Sequence, residues 1–434
     1  MIRIDSTVKK NIGFISTRFS GTDGVTLEAS KWAQVLKDMG HACYWFAGQL
    51  DKDPASSMLV PEAFFQDEKN IWINARILGH KRRDHTVTDT IQDVKNRLKK
   101  YIREFIQRFN IDLIIAQNAL TIPMHVPLGM AVTEVIAETQ IPTIAHHHDF
   151  YWERTRFSVN AVNDYLRMAF PPNLPGMEHI VINSAAQEEL ALRTGCSSII
   201  IPNILNFENP PRVSSSTRPA IRAELGFEKD DIVFLQPTRI VQRKGIEHAL
   251  NLVRELDTPR CKLLISHEAG DEGYEYAEWL KREAKDMGVD LRLLTTSMRD
   301  PWNDNHVKKP ARSLLDIYPC ADFVTYPSLY EGFGNAFLEA VYFHKPVLIN
   351  RYATFVRDIE PKGFDLIAMD GFLTEKTVDQ VRSVLQSPQR IERMVQHNFN
   401  VAAKHYSYAV LRRWLNTLMV NFFGFEFDCM MQPR

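Results

Sequence analysis

Short apolar runs alternate with longer stretches of helical period along this chain, and the alternation breaks once and then begins again. Asn11 to Ser16 reads as a buried strand and Gly21 to Gly24 as a loop. Val25, Ala29, Trp32, Ala33, Leu36 and Met39 then follow at helical spacing, with Gly40 as the stop. His41 to Ala47 resumes strand character, and loops this short joining strand, helix and strand favour a parallel sheet. The unit recurs. A helix over Thr88 to Phe109 leads into a strand at Asp112 to Ala116, a helix over Leu128 to Thr139 into one at Pro142 to Ala145, and Val181 to Ser184 closes the series.

Between Pro202 and Arg222 the segment ILNFENPPRVSSSTRPA has neither period and is rich in Pro and Ser. It divides the chain into a first domain at 1–205, a linker at 206–225 and a second domain at 226–400. The second series runs through strands at Ile232 to Gln236, Lys262 to Ser266, Asp290 to Leu294, Asp322 to Tyr326 and Pro346 to Asn350, with helices at Gly245 to Leu256 and Tyr274 to Met287. The predicted fold class is therefore α/β, with two Rossmann-like, doubly wound parallel sheets. Ligands of such sheets sit at the carboxyl ends of the strands, so the two domains are expected to face each other across a substrate cleft. A chain of 434 residues fits two such domains.

Composition narrows the function classes. Lys plus Arg is 52 against 53 for Asp plus Glu, so no general attraction to nucleic acid is expected and any anion must be bound locally. The five cysteines, at 43, 196, 261, 320 and 429, are scattered without metal-ligand or redox spacing. They fit a reduced chain. No apolar run is long enough to span a bilayer and MIRIDSTVKK has no apolar secretion stretch, so a cytoplasmic location is expected. Leu418, Met419, Val420, Phe422, Phe423, Phe425 and Phe427 crowd the far end. Two readings fit them, docking inside the molecule or peripheral contact with a membrane.

The segment YPSLYEGFGNAFLEA, Tyr326 to Ala340, lies between a strand and a helix. Gly332 and Gly334 bracket a loop that needs tight backbone, and Asn335 opens a helix whose Phe337, Leu338 and Val341 form the buried face. Glu339 then lies one turn from Asn335 on the same side, and Glu331 lies at the strand exit, so both carboxylates can reach one ligand. Free amides at the helix start suit a phosphate, whereas carboxylates suit the hydroxyls of a sugar and a ribose. Taken singly, either glutamate could be a solvated surface charge.

Glu331, Gly332, Phe333, Gly334 and Glu339 resemble the E-x-F-G-x-x-x-x-E signature of the family 4 retaining glycosyltransferases, and the likeness continues in order along nearly the whole chain. The resemblance implies the two-domain GT-B fold, with an acceptor-side first domain, a donor-binding second domain and a helix in 401–434, at Tyr406 to Leu418, that crosses back to the first. It assigns Glu331 to the transferred sugar and Glu339 to the ribose. Phe333, Gly334 and Asn335 are placed in the same donor loop. In PTRIVQRKG, Pro237 to Gly245, Arg239 and Lys244 match the cations that clamp the donor diphosphate. Arg243 is an extra cation, expected to be solvated, and Thr238 stands where the family usually has Gly. The loop ending at Gly24 is similar to the family's Gly-Gly loop near the donor phosphates, although a turn plus helix entry would explain its glycines equally well.

His146, His147, His148 and Asp149 follow the predicted strand Pro142 to Ala145. Three consecutive residues leaving a strand cannot all face one metal ion, so no metal site is assigned. The resemblance instead places His148 at the transferred sugar, with Asp149 orienting it or helping to bind the acceptor. Tyr151, Trp152, Glu153 and Arg154 suit a polar or anionic acceptor, and equally a plain helix start. Asn183 and Ser184 are read as a strand end, and Pro202 with Asn203 as the family's segment before the linker. SHEAGDEG, Ser266 to Gly273, departs from the family's Gly-rich loop near the base.

The function expected from the resemblance is transfer of a hexose, with retention, from a UDP- or GDP-linked sugar to a hydroxyl on a small solute, a lipid or a glycan. No tightly bound cofactor is expected, and Arg239, Lys244 and helix-start amides stand in for a divalent metal. Alternatives are a disaccharide phosphorylase, another sugar-nucleotide enzyme of the same fold, or a non-catalytic binding module.

Overall fold

A computed structural model describes residues 9–21, 23–211, 217–267, 274–294 and 314–424. The chain divides into two compact units, one of residues 1–202 with 409–434, the other Asn203–Tyr408.

The first unit is built on a seven-stranded sheet in the order Ser57–Leu59, Ala42–Ala47, Asn11–Ile15, Leu113–Gln117, Thr143–His147, Met177–Val181 and Ile199–Ile200. Every pairing in it is parallel. Its longest helix, His85–Phe109, starts where the Asp84 carboxylate accepts the Val87 amide at 2.9 Å and ends at Asn110 in the left-handed region. Val87, Ile91, Val94, Leu98, Ile102, Phe105 and Phe109 repeat at three- and four-residue intervals and are buried against the sheet, an apolar stripe along one side of the helix.

The second unit carries six parallel strands in the order Asp290–Leu293, Cys261–Ile265, Ile232–Gln236, Phe323–Tyr326, Val347–Asn350 and Ile367–Met369. The order reverses between Ile232–Gln236 and Phe323–Tyr326, so the loops leaving those two strands flank the point at which such sheets bind ligands. Helix Ile246–Glu255 packs its Ile246, Ala249, Leu250 and Val253 into this unit's core. Among the described residues no helix is long and apolar enough to cross a membrane.

Several boundaries differ from the sequence reading. Thr143–His147 runs two residues past Ala145, because buried neutral imidazoles can occupy a strand interior as apolar residues do. The strand expected through Ser184 ends at Val181, and Asn183 instead caps helix Ser184–Thr194 by accepting the Ala186 amide at 2.7 Å. The expected linker ends early: Thr217–Glu224 is helical, and Arg222 is buried with its guanidinium 3.2 Å from the Asp322 carboxylate. Helices Glu68–Ile77, Glu375–Leu385 and Pro388–His405 carry no counterpart in the sequence reading. At the far end, helix Tyr408–Phe423 buries Leu411, Leu415, Leu418 and Met419, while Phe425 and Phe427 lie outside the described residues.

Candidate functional site

In the second unit the loops after Ile232–Gln236 and Phe323–Tyr326 are held against each other by glycine. Gly245 has φ +58, and a Cβ there would stand 2.6 Å from the Pro327 carbonyl oxygen. The close approach brings Lys244, at the end of the turn Gln242–Lys244, onto Glu331. Their side chains are only 10% and 11% exposed, and the Lys244 ammonium forms an ion pair with Glu331 Oε1. Burial pulls the Lys244 pKa below the ordinary lysine range, against the pull of the Glu331 charge.

Glu331 is held from several sides. Thr354 Oγ1 donates to its backbone carbonyl at 3.0 Å, and the Tyr326 hydroxyl bonds its side chain. Burial first, and then the Glu331 charge, raise the Tyr326 pKa well above the ordinary phenol range, so the hydroxyl stays a donor. Arg243, expected to be solvated, is partnered: its Nη1 lies 3.6 Å from Glu331 Oε2 and donates to the Tyr330 carbonyl at 3.4 Å. Arg239 is exposed on the same loop. His267 follows strand Cys261–Ile265, takes Ser266 Oγ at 2.8 Å on Nδ1, and has a pKa brought to about 4 by burial, then by Arg239 and Lys244. Residues 268–273 of the expected base loop lie outside the described residues.

Gly334 has φ +122 immediately before helix Asn335–Tyr342, and a Cβ there would fall 2.3 Å from Tyr352 Oη. That hydroxyl donates to the Phe333 carbonyl at 2.7 Å, so glycine and tyrosine together shape the turn. Asn335 opens the helix with its Oδ1 accepting from Asn203 Nδ2 at 2.7 Å. Glu339, one turn on, accepts the Tyr318 hydroxyl at 3.0 Å. The Phe333 ring is buried edge-to-face on Tyr406 with centroids 5.4 Å apart, so its side chain belongs to the core. Tyr318, Tyr326, Tyr352 and Thr354 were not singled out by sequence; only Tyr326, which begins the signature segment, carried a local signal.

The first unit presents a separate polar cluster beyond Thr143–His147. His148 Nε2 lies 3.2 Å from Gln117 Oε1 and its amide donates to Asn118 Oδ1 at 3.0 Å. With an amide oxygen as acceptor the proton sits on Nε2, and burial brings the His148 pKa to about 4, leaving a neutral ring. Asp149 accepts from Asn118 Nδ2 at 3.0 Å and is ion-paired with Arg154. Arg154 is thus occupied, and Tyr151–Glu153 is a single 3-10 turn in which Glu153 accepts the Phe150 amide at 2.8 Å.

His147 is bonded on both sides, to Thr121 Oγ1 at 2.5 Å and to His179 Nδ1 at 2.9 Å, while His146 lies between the Trp32 and His148 rings. Among the described residues no group of three or more His, Cys, Asp or Glu is arranged to hold a metal ion. Asp23 caps helix Gly24–Asp38, accepting the Val25 and Thr26 amides, each at 3.2 Å, so Gly24 is the helix's first residue.

The family described as glycosyl transferases group 1 matches residues 217–401, the stretch that contains Arg239, Lys244, Glu331 and Glu339. Over 93% of its length the chain is 31% identical to the mannosylglucosylglycerate synthase of Petrotoga mobilis, covering 99% of that protein. The chain belongs to the glycosyl transferases group 1. This glycosyltransferase is also 31% identical to the mannosylglucosylglycerate synthase of Thermotoga maritima, over 91% of its own length and 96% of that protein. Its fold resembles that of HepE from Anabaena, solved in complex with UDP-glucose, with a TM-score of 0.65 at 13% identity over 95% of this chain and 100% of that one. The two parallel-sheet domains are those of the GT-B glycosyltransferases.

Proposed function

We propose that this glycosyltransferase moves a mannosyl or related hexosyl group from a nucleotide diphosphate sugar, GDP- or UDP-linked, to a hydroxyl of an anionic small solute such as glucosylglycerate. The observation that carries the reading is the buried Lys244–Glu331 pair beside the helix start at Asn335, at the reversal point of the second sheet. The full-length likeness to two mannosylglucosylglycerate synthases supports the product class.

As the bond between C1 and the phosphate oxygen breaks, negative charge grows on the diphosphate. The Lys244 ammonium, the Arg239 guanidinium and helix-start amides stabilise that state more than the ground state. The acceptor oxygen bonds to C1 and gives its proton to the departing phosphate oxygen. Attack on the face the phosphate leaves would preserve configuration, the outcome that the family 4 resemblance implies. Glu331 and Glu339 accept hydrogen bonds from sugar and ribose hydroxyls. With cations already at the diphosphate, a divalent ion is not required.

The test is incubation of the protein with GDP- or UDP-mannose and glucosylglycerate, with the product's anomeric configuration read by NMR. An α-linked mannoside formed from the α-linked donor, in the presence of a chelator, is the expected result. An inverted product refutes retention, a strict need for added metal refutes the cation clamp, and hexose 1-phosphate released from disaccharides by inorganic phosphate shows a phosphorylase instead.

A further inference from the structure

Two cations share one carboxylate in the second unit, and they differ in kind. Lys244 is 10% exposed and holds Glu331 Oε1, whereas Arg243 is 38% exposed and stands 3.6 Å from Oε2. Arg243 is also fastened to the loop that carries Glu331. The Leu329 amide donates to its carbonyl at 2.9 Å, and its own Nη1 donates to the Tyr330 carbonyl at 3.4 Å. The guanidinium therefore travels with Glu331, not with an incoming ligand.

On the donor reading above, on which this step rests, the diphosphate must draw the Lys244 ammonium to itself. Glu331, 11% exposed, would then be a carboxylate without its partner beside a newly bound anion. We infer that Arg243 is a positioning residue that takes over the Glu331 carboxylate when the donor diphosphate engages Lys244. The planar guanidinium can close from one long contact to a paired hydrogen bond by a small side-chain movement, because the Arg243 backbone is already tied to Leu329 and its Nη1 to the Tyr330 carbonyl. Glu331 then keeps its place for the sugar instead of being pushed away.

The test is a mutant cycle read by calorimetric binding of GDP and UDP to the intact protein. Arg243→Gln should weaken binding about threefold to fivefold in the native background, the range of a partly exposed charge pair. In the Glu331→Gln background the same change should have no effect, since no carboxylate is left to hold. Arg243→Lys should restore most of the affinity, with all variants melting within a few degrees of the native protein. An equal loss in both backgrounds, or native affinity in Arg243→Gln, would overturn the hand-over while leaving the donor reading intact. If the native protein binds neither GDP nor UDP, the donor reading fails and the hand-over with it.

Discussion

Glu331 sits where its charge and its position make separate demands. Glu331→Gln keeps the shape but removes the charge that competes for Lys244, so nucleoside diphosphate affinity should hold or tighten while turnover falls by about 100-fold or more. Steady-state kinetics beside calorimetry would check both, and a loss of affinity would show that the carboxylate helps to hold the diphosphate. Gly334→Ala places a methyl 2.3 Å from Tyr352 Oη at a left-handed backbone position. The left-handed conformation alone costs roughly 1–2 kcal/mol, and melting should show at least that loss. Adding Tyr352→Phe removes the clashing oxygen and should recover part of it; no recovery would mean that the backbone strain dominates. At this scale the sequence exposed residues whose spacing is itself the signal: Glu331, Gly334, Glu339, Arg239 and Lys244. Tyr318, Tyr352, Thr354 and the contact of Arg243 with Glu331 were hidden, because tertiary packing and not local order brings them to the loop.

At the scale of elements, helix His85–Phe109 rests on a continuous stripe that ends in an aromatic cluster. Phe105 lies 5.6 Å from Phe46 and 5.5 Å from Phe109, ring to ring, with no exposure. Phe105→Ala should cost about 3–5 kcal/mol, measured by denaturant unfolding. A cost under about 1 kcal/mol would show that the stripe tolerates a cavity there. Elements of this kind were legible because strong periodicity and clear stops agree. The strand through His147 was cut short because histidine reads as polar, although bonds from Thr121 and His179 let it be buried neutral. Helices Glu375–Leu385 and Pro388–His405 were missed because no strand or motif nearby drew attention to their period. Helix Thr217–Glu224 was missed because Pro and Ser upstream made the whole stretch look like linker.

For the whole molecule, the two alternating series and the break between them already implied two parallel-sheet domains, and both sheets have that form. The acceptor was not legible, since no motif specifies it and the relatives alone supply a candidate. Buried histidines give the protein a shared acid sensitivity. Burial brings the pKa of His125, His148, His179 and His267 to about 4, against 6.5 ordinarily. The unfolded chain therefore binds more protons between those values, and the stability these groups contribute is complete above about 6.5 and lost as pH falls toward 4. The melting temperature should drop between pH 7 and pH 5, and a flat or rising curve would show that these rings are not held neutral.

On the proposed reading, the buried Lys244 ammonium of the second unit grips the donor diphosphate. Calorimetry of Lys244→Ala against the native protein, with a nucleoside diphosphate and the matching monophosphate, tests it most directly. The diphosphate should lose at least about tenfold in affinity and the monophosphate far less. Equal losses for the two ligands, or unchanged diphosphate binding, would contradict it.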